Sequence, residues 1–242
     1  MVLAAATLVA VGLSFWWPWR TRLLAISAGG NGPPTVVLLH GFGSSAEEWL
    51  PFAKTVTLAP EARFLFPQGP ELVRRTDGAV PGRAWWNLEL AQHRRVGLPG
   101  VDLRDENPAG LVRAGDLVRA FFSDIGDRRA HPVILGGFSQ GAMVSCQVAF
   151  ASDEPLAALV LLSGTPGNVA AWRAGFAKRK RLPVFMSHGR FDQILPFDLA
   201  EGLRKELVAA GLEVTFVGFD GGHEIPEEVV LRLREFLAKI AS

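Results

Sequence analysis

Gly137-Phe138-Ser139-Gln140-Gly141 follows the apolar run Val133-Ile134-Leu135 and precedes the helix-prone run Ala142 to Phe150. One serine therefore stands between a predicted strand and a predicted helix. In the G-x-S-x-G turn known as a nucleophile elbow, the serine takes a strained backbone conformation at the strand end. Small residues two places either side let helix and strand approach closely, and Gly137 and Gly141 fill both places. A glycine-rich turn around a serine is also an ordinary strand-to-helix connection, so the rest of the chain has to decide between the two.

A nucleophilic serine needs a base to take its proton and a carboxylate to hold that base in the right tautomer. With a serine on such an elbow, the acid and then the histidine follow it in chain order. Downstream come the apolar run Leu159-Val160-Leu161-Leu162 and a further run, Pro183 to His188, ending in Gly189-Arg190-Phe191-Asp192. The last run, Val214 to Phe219, ends in Asp220-Gly221-Gly222-His223. Asp192 and His223 are thus each placed in a loop just beyond a strand, in the required order.

Five histidines compete for the role of base. His188 lies at a strand end before a glycine, which suits a hydrogen-bonded structural histidine. His93 lies in a polar, arginine-rich segment and His131 precedes a proline at a strand start, and neither setting puts an imidazole beside Ser139. Among the acids, Asp198 falls at a predicted helix start, where backbone N–H groups and the helix dipole stabilise a carboxylate. Asp220 is the nearer rival, but a triad acid ordinarily reaches the histidine from a separate strand end, which favours Asp192.

Ester chemistry also requires donors aimed at the oxygen that becomes negative. One is expected from the backbone N–H of Gln140, next to the nucleophile, and another from the loop after an early strand. Thr35-Val36-Val37-Leu38-Leu39 followed by His40-Gly41-Phe42-Gly43-Ser44 supplies that loop. His40 is expected to brace it rather than to transfer protons.

With these residues in place, the chain resembles the phospholipase/carboxylesterase family of serine hydrolases, which includes the acyl-protein thioesterases. The resemblance runs from about Leu38 to the C-terminus. It is carried by His40-Gly41-Phe42-Gly43, Phe66-Pro67-Gln68-Gly69-Pro70, Arg83-Ala84-Trp85-Trp86, Gly136 to Gly141, Leu162-Ser163-Gly164, His188 to Asp192 and Gly222-His223-Glu224-Ile225. It implies an α/β-hydrolase with Ser139, Asp192 and His223 as catalytic residues and the backbone N–H groups of Phe42 and Gln140 as the oxyanion hole. It also matches Trp85 and Trp86 to an aromatic segment near the acyl site, a substrate-binding expectation. Ser44 and Asn87 depart from the family pattern at positions where acidic residues are common, so no substrate preference is carried over.

Length and patterning agree with one hydrolase domain over residues 20–242, preceded by an apolar segment, residues 1–19. Continuous apolar strand runs alternating with amphipathic helices predict a mostly parallel central sheet with helices on both faces. Val229, Leu233, Phe236, Leu237 and Ile240 fall on one face of a final helix. Between about residues 67 and 108 the chain is rich in Arg, Gly, Pro and Asp without sustained period, and reads as an excursion over the site.

A formal net charge of +1 gives no footprint for nucleic acid or a strongly acidic partner. Lys178-Arg179-Lys180-Arg181 reads as a solvated loop. Cys146 is the only cysteine, so no internal disulfide forms; its place in the helix after Ser139 suggests a packed thiol, and no Cys/His spacing indicates a metal. No cofactor is implied. Met1 to Trp17 carries no charged side chain and ends in Trp16-Trp17-Pro18-Trp19-Arg20, like a membrane-interface edge. Three readings fit this segment: an uncleaved anchor, which the tryptophans and Arg20 and Arg22 favour and which would make the enzyme cytoplasmic or membrane-associated; a cleaved signal, which lacks a positive n-region; and an upstream start or a helix packed on the domain. The expected activity is hydrolysis of a small-molecule or lipid-like carboxylic ester or thioester through an acyl-enzyme. A peptidase or amidase of the same fold is the runner-up, and a non-catalytic ligand-binding member the reading from another class.

Overall fold

The computed structural model describes residues 23–56, 58, 60–73, 82–88, 100–126 and 131–241. The apolar segment 1–19 and His93 lie outside the described residues, as do 74–81 and 89–99 of the expected excursion. Among the described residues no helix is long and apolar enough to cross a membrane.

In chain order the elements are β1 (Ala25–Gly29), β2 (Gly32–Leu39), a 3-10 turn (Ala46–Glu48) leading into α1 (Trp49–Thr55), β3 (Ala62–Pro67), β4 (Glu71–Val73) and β5 (Gly82–Ala84). Then follow α2 (Ala109–Phe122), β6 (Val133–Phe138), α3 (Gln140–Ala151), β7 (Leu156–Leu162), α4 (Val169–Lys178), β8 (Pro183–Gly189), α5 (Phe197–Ala209), β9 (Glu213–Phe219) and α6 (Glu227–Ala241). The main sheet runs β1-β3-β2-β6-β7-β8-β9. All its pairings are parallel except β1 with β3, and β4 and β5 form a separate antiparallel ribbon. The mostly parallel sheet expected from the strand runs is therefore present, with one antiparallel edge strand added.

Strand alternation sorts side chains into two layers of core. Val37, Leu39, Leu135, Leu159, Leu161 and Met186 pack with α2, α3, α4 and α5 residues on one face. Val36, Leu38, Ile134, Val160, Leu162 and Phe185 pack with Trp49 and α6 on the other. Because both faces are covered, every strand position in the middle of the sheet is apolar, which is why these runs looked continuous in the sequence. The predicted stripe on α6 is confirmed: Val229, Leu233, Phe236 and Leu237 are buried and Ile240 packs against them. Each such side chain, fully buried, stabilises by about 1.5–3 kcal/mol.

Helix α3 is buried on every side, from Gln140 to Phe150. It lies against β6 and β7 and is flanked by α2 and α4. Cys146 is packed here as expected, and burial pushes its thiol far up. The excursion is more built than its sequence suggested. Besides the β4–β5 ribbon, Trp85, Trp86, Leu88, Val101 and Leu103 all enter the core. Three-residue strands are too short to show an alternation, so the pattern gave no sign of them.

Candidate active site

Parallel strands deliver their following loops to one edge of the sheet, and ligand sites of open α/β sheets lie there. Here β2 leads to His40–Ser44, β6 to Ser139, β8 to Asp192 and β9 to His223. Four stretches separated in sequence thus meet at the carboxyl ends of the strands.

Ser139 has φ 55° and ψ −118°, a conformation unfavourable for any residue with a Cβ. The turn is held from both sides. The Ser139 N–H donates to the Leu162 carbonyl at 2.9 Å, while the Ala142 N–H donates back to the Ser139 carbonyl at 3.0 Å. The two elbow glycines are required sterically: a Cβ on Gly137 would sit 2.5 Å from the Gly141 carbonyl carbon, and one on Gly141 would strike the Leu39 carbonyl oxygen. This strained turn is the form the G-x-S-x-G spacing predicted.

The imidazole of His223 bridges the other two groups. Its Nε2 is 2.8 Å from Ser139 Oγ and its Nδ1 is 2.6 Å from Asp192 Oδ2. Asp192 Oδ1 in turn accepts from the N–H groups of Ile194 at 2.8 Å and Leu195 at 2.9 Å, an Asx-type turn that fixes the carboxylate. Burial alone would raise this carboxyl, but hydrogen bonds from His188 and His223, the His223 charge and the Leu195 amide together hold it well below the usual carboxylate range. With Asp192 ionised and accepting at Nδ1–H, His223 presents the lone pair of Nε2 to the serine hydroxyl.

The rivals fall elsewhere. Asp220 is exposed and pairs with Arg190 Nε at 3.1 Å, while His223 Nδ1 is taken by Asp192. Asp198 stands in the first turn of α5, as its setting predicted, and His131 is exposed. His188 is wholly buried behind the acid: its Nε2 lies 2.7 Å from the Leu195 carbonyl and 3.3 Å from Asp192 Oδ2. It is the structural histidine expected, and it supports the carboxylate from the rear.

Two supports lie in stretches that carry the resemblance but had no role assigned to them there. Buried Ser163 donates through Oγ to the Glu224 carbonyl at 3.1 Å, pinning the loop that carries His223 to the end of β7. Gly189 lets the acid loop and the histidine loop touch backbone to backbone, since a Cβ there would strike the carbonyl oxygens of Gly221 and Gly222. The Phe191 N–H closes the same seam by donating to the Gly221 carbonyl at 3.0 Å.

On the opposite side of Ser139, the Phe42 and Gln140 backbone N–H groups make no hydrogen bond to an acceptor among the described residues. Their loop is braced from three directions. His40 Nδ1 lies 2.8 Å from the Gly41 carbonyl and its Nε2 accepts from the Gly69 N–H at 2.9 Å, so the ring holds the loop as expected. Burial pushes His40 below the ordinary histidine value, which keeps it in this neutral form. The Gly43 N–H donates to the Arg83 carbonyl at 2.8 Å and the Arg83 N–H returns to the Ser44 carbonyl at 2.7 Å. Trp85 Nε1–H donates to the His40 carbonyl at 2.9 Å.

The side chain of Gln140 completes this brace and was not foreseen. Its Oε1 accepts from the Trp85 N–H and its Nε2 donates to the Trp86 carbonyl, both at 2.9 Å. Trp85 and Trp86 are only 2% and 6% exposed. Both nevertheless line a cavity of about 320 Å³ together with Pro70, Glu71, Asn87 and Arg113, so the substrate-binding expectation for them stays open to test. The Trp85 indole N–H is satisfied by the His40 carbonyl, while Gln140 holds the backbones of Trp85 and Trp86.

Comparison with known proteins identifies the family and the fold. A family model described as Phospholipase/Carboxylesterase matches residues 24–241. Acyl-protein thioesterase 1 of Aspergillus fumigatus is 26% identical over 216 residues, covering 85% of this chain and 87% of its own. Among solved structures, acyl-protein thioesterase 2 of Zea mays superposes with a TM-score of 0.69 at 20% identity, covering 90% of this chain and 99% of that one. The carboxylesterase of Bacillus cereus does so with a TM-score of 0.67 at 20% identity, covering 91% and 96%. These structures share the α/β-hydrolase fold. With nine-tenths of its length matched by the family model and the elbow, histidine and carboxylate assembled at the strand ends, this chain belongs to the phospholipase/carboxylesterase family.

Proposed function

We propose that this protein hydrolyses carboxylic esters and thioesters through an acyl-enzyme on Ser139. The observation that carries the reading is the continuous hydrogen-bonded file from Ser139 Oγ through His223 to Asp192. Family membership supports the reaction class, and the fungal relative named as an acyl-protein thioesterase supports including thioesters.

In the first half-reaction Ser139 Oγ attacks the carbonyl carbon as its proton passes to His223 Nε2. The carbonyl oxygen becomes negative and is received by the Phe42 and Gln140 N–H groups. Collapse of the tetrahedral intermediate breaks the bond to the leaving oxygen or sulfur, which takes the proton from His223 and departs. Water then repeats the sequence: it gives a proton to His223 Nε2, attacks the acyl carbon, and Ser139 Oγ leaves with that proton restored. Asp192 remains ionised throughout and stabilises the imidazolium that forms twice.

Labelling with a fluorophosphonate, followed by peptide mapping, tests the assignment. Ser139 should be the modified residue and Ser139→Ala should not label. Labelling of the variant at the parent's rate would overturn it. A panel of 4-nitrophenyl esters of increasing chain length, with a thioester and an anilide beside them, then ranks the leaving groups; the anilide should be the poorest substrate.

A further inference from the structure

A cavity of about 240 Å³ opens beside Ser139 between the β2 loop, the elbow and the histidine loop. Gly41, Phe138, Trp49 and Ile225 form its apolar wall, and Ser44 and Glu48 stand at its polar end. Its walls border the nucleophile: Phe138 precedes Ser139, and Gly41 packs so closely that an added Cβ would lie 3.4 Å from the Ser139 Cβ and 3.1 Å from the Phe138 ring. It also reaches the histidine loop: the Phe138 and His223 rings are 4.8 Å apart, and Ile225 follows His223 by two residues. The leaving atom must take its proton from His223 Nε2, so the group it carries extends toward that side. The cavity therefore borders the path that the leaving group would take.

Its charge is one-sided. The Ser44 hydroxyl donates to Glu48 Oε2 at 2.8 Å, which orients the carboxylate. Glu47 is exposed beside it and adds charge of the same sign. Among the described residues no cation pairs with Glu48; His40, also in the wall, is held neutral by burial, and Arg83 directs a guanidinium nitrogen at the Pro70 carbonyl, 3.4 Å away. Aromatic rings with a carboxylate at one end suit a positively charged head. We propose that this cavity is a leaving-group subsite selective for alcohols or thiols bearing an ammonium or quaternary ammonium a few bonds from the ester oxygen or thioester sulfur. The inference rests on the hydrolase reading above.

Three thioesters of one short acyl chain, with the methyl thioester of the same chain as a size control, test it: the thiocholine ester, its uncharged 3,3-dimethylbutanethiol isostere, and the 2-sulfonatoethanethiol ester. In the full-length protein kcat/KM should fall in that order, with the cation ahead of its isostere by about three- to tenfold at low salt, the size expected of one partly solvated charge pair. The ratio should shrink as ionic strength rises. Glu48→Gln should bring cation and isostere within about twofold of each other, while Glu48→Asp should keep part of the preference. Ile225→Trp, which narrows the cavity, should penalise the isostere against the methyl thioester. Equal ratios in the parent and Glu48→Gln, or no preference in the parent, would overturn the subsite. Failure of the parent to cleave even the uncharged isostere and the methyl thioester would instead overturn the hydrolase reading, and the subsite with it.

Discussion

The two sides of Ser139 are built by different means. On one side, His223 and Asp192 arrive on the ends of adjacent strands β9 and β8, and their loops touch backbone to backbone at Gly189. On the other, the loop offering the Phe42 N–H is held by residues far away in the chain: Gly69, Arg83 and Trp85, the last tied to the elbow by Gln140 across 55 positions. The proposed proton-transfer side follows from the order of the sheet, whereas the proposed oxyanion side depends on a few long-range hydrogen bonds. The first should fail when a reacting group is removed and the second when a brace is removed.

The sharpest contrast comes from the reacting groups. Ser139→Ala should lower ester turnover by about 10⁴- to 10⁶-fold, leaving what the oxyanion hole and binding supply. Asp192→Asn should lower kcat by about 10⁴-fold through the wrong histidine tautomer, with an unchanged circular dichroism spectrum. Asp220→Asn, which breaks only the exposed pair with Arg190, should stay within about twofold. A reversal of those two variants would move the acid to the other loop and dissolve the contrast.

Bracing residues should show intermediate losses. Gln140→Leu keeps the backbone N–H but releases Trp85 and Trp86, and kcat should drop by about 10- to 100-fold, less than the roughly 10²- to 10³-fold loss of a whole oxyanion donor. A loss carried by KM alone would show that the clamp positions substrate rather than the oxyanion loop. His188→Phe removes the donor behind Asp192, and a drop of about tenfold in kcat is expected, with the acid side of the pH–rate profile displaced; an undisplaced profile would make His188 a packing residue only.

The smallest effect is on stability. Burial lowers His40 in the folded protein, so as pH falls below the ordinary histidine value of about 6.5 the unfolded chain binds a proton that the folded chain resists. Stability is therefore lost on acidification through that range. The urea midpoint should fall more between pH 7.5 and pH 5 in the parent than in His40→Gln, and equal slopes would show that this imidazole does not titrate on unfolding.

Much of the proton-transfer side was legible because its signals are local. A parallel strand covered on both faces reads as a near-continuous apolar run, so β6, β7 and the start of β8 announce themselves, and the groups that follow each strand end are named by the sequence. The G-x-S-x-G spacing has a steric cause that the Gly137 and Gly141 contacts bear out. The oxyanion side was only half legible. The loop at His40–Ser44 could be read from its glycines, but nothing local in Gln140 indicates that its amide grips a segment 55 residues earlier. Trp85 and Trp86 were placed near the site by resemblance, while their burial depends on partners no periodicity reveals. Ser163 is similar: its hydroxyl matters through the Glu224 carbonyl, 61 residues on.

The paired bonds between Gly43, Ser44 and Arg83 have a consequence for how activity is controlled. They are two backbone bonds made by the middle residue of a three-residue strand, an isolated bridge backed in the described ribbon by the three residue pairs of β4 with β5. Short ladders open at little free energy relative to global unfolding. In hydrogen-exchange terms, the Gly43 and Arg83 amides should exchange earlier than those of β6 or β7. Each opening would leave Ser139, His223 and Asp192 aligned while the Phe42 N–H drifts from register, giving molecules that bind a serine-directed probe slowly yet carry every reacting group in place. The fraction of enzyme competent at any instant would then be set by this small ribbon, and a preparation's specific activity would measure its closure.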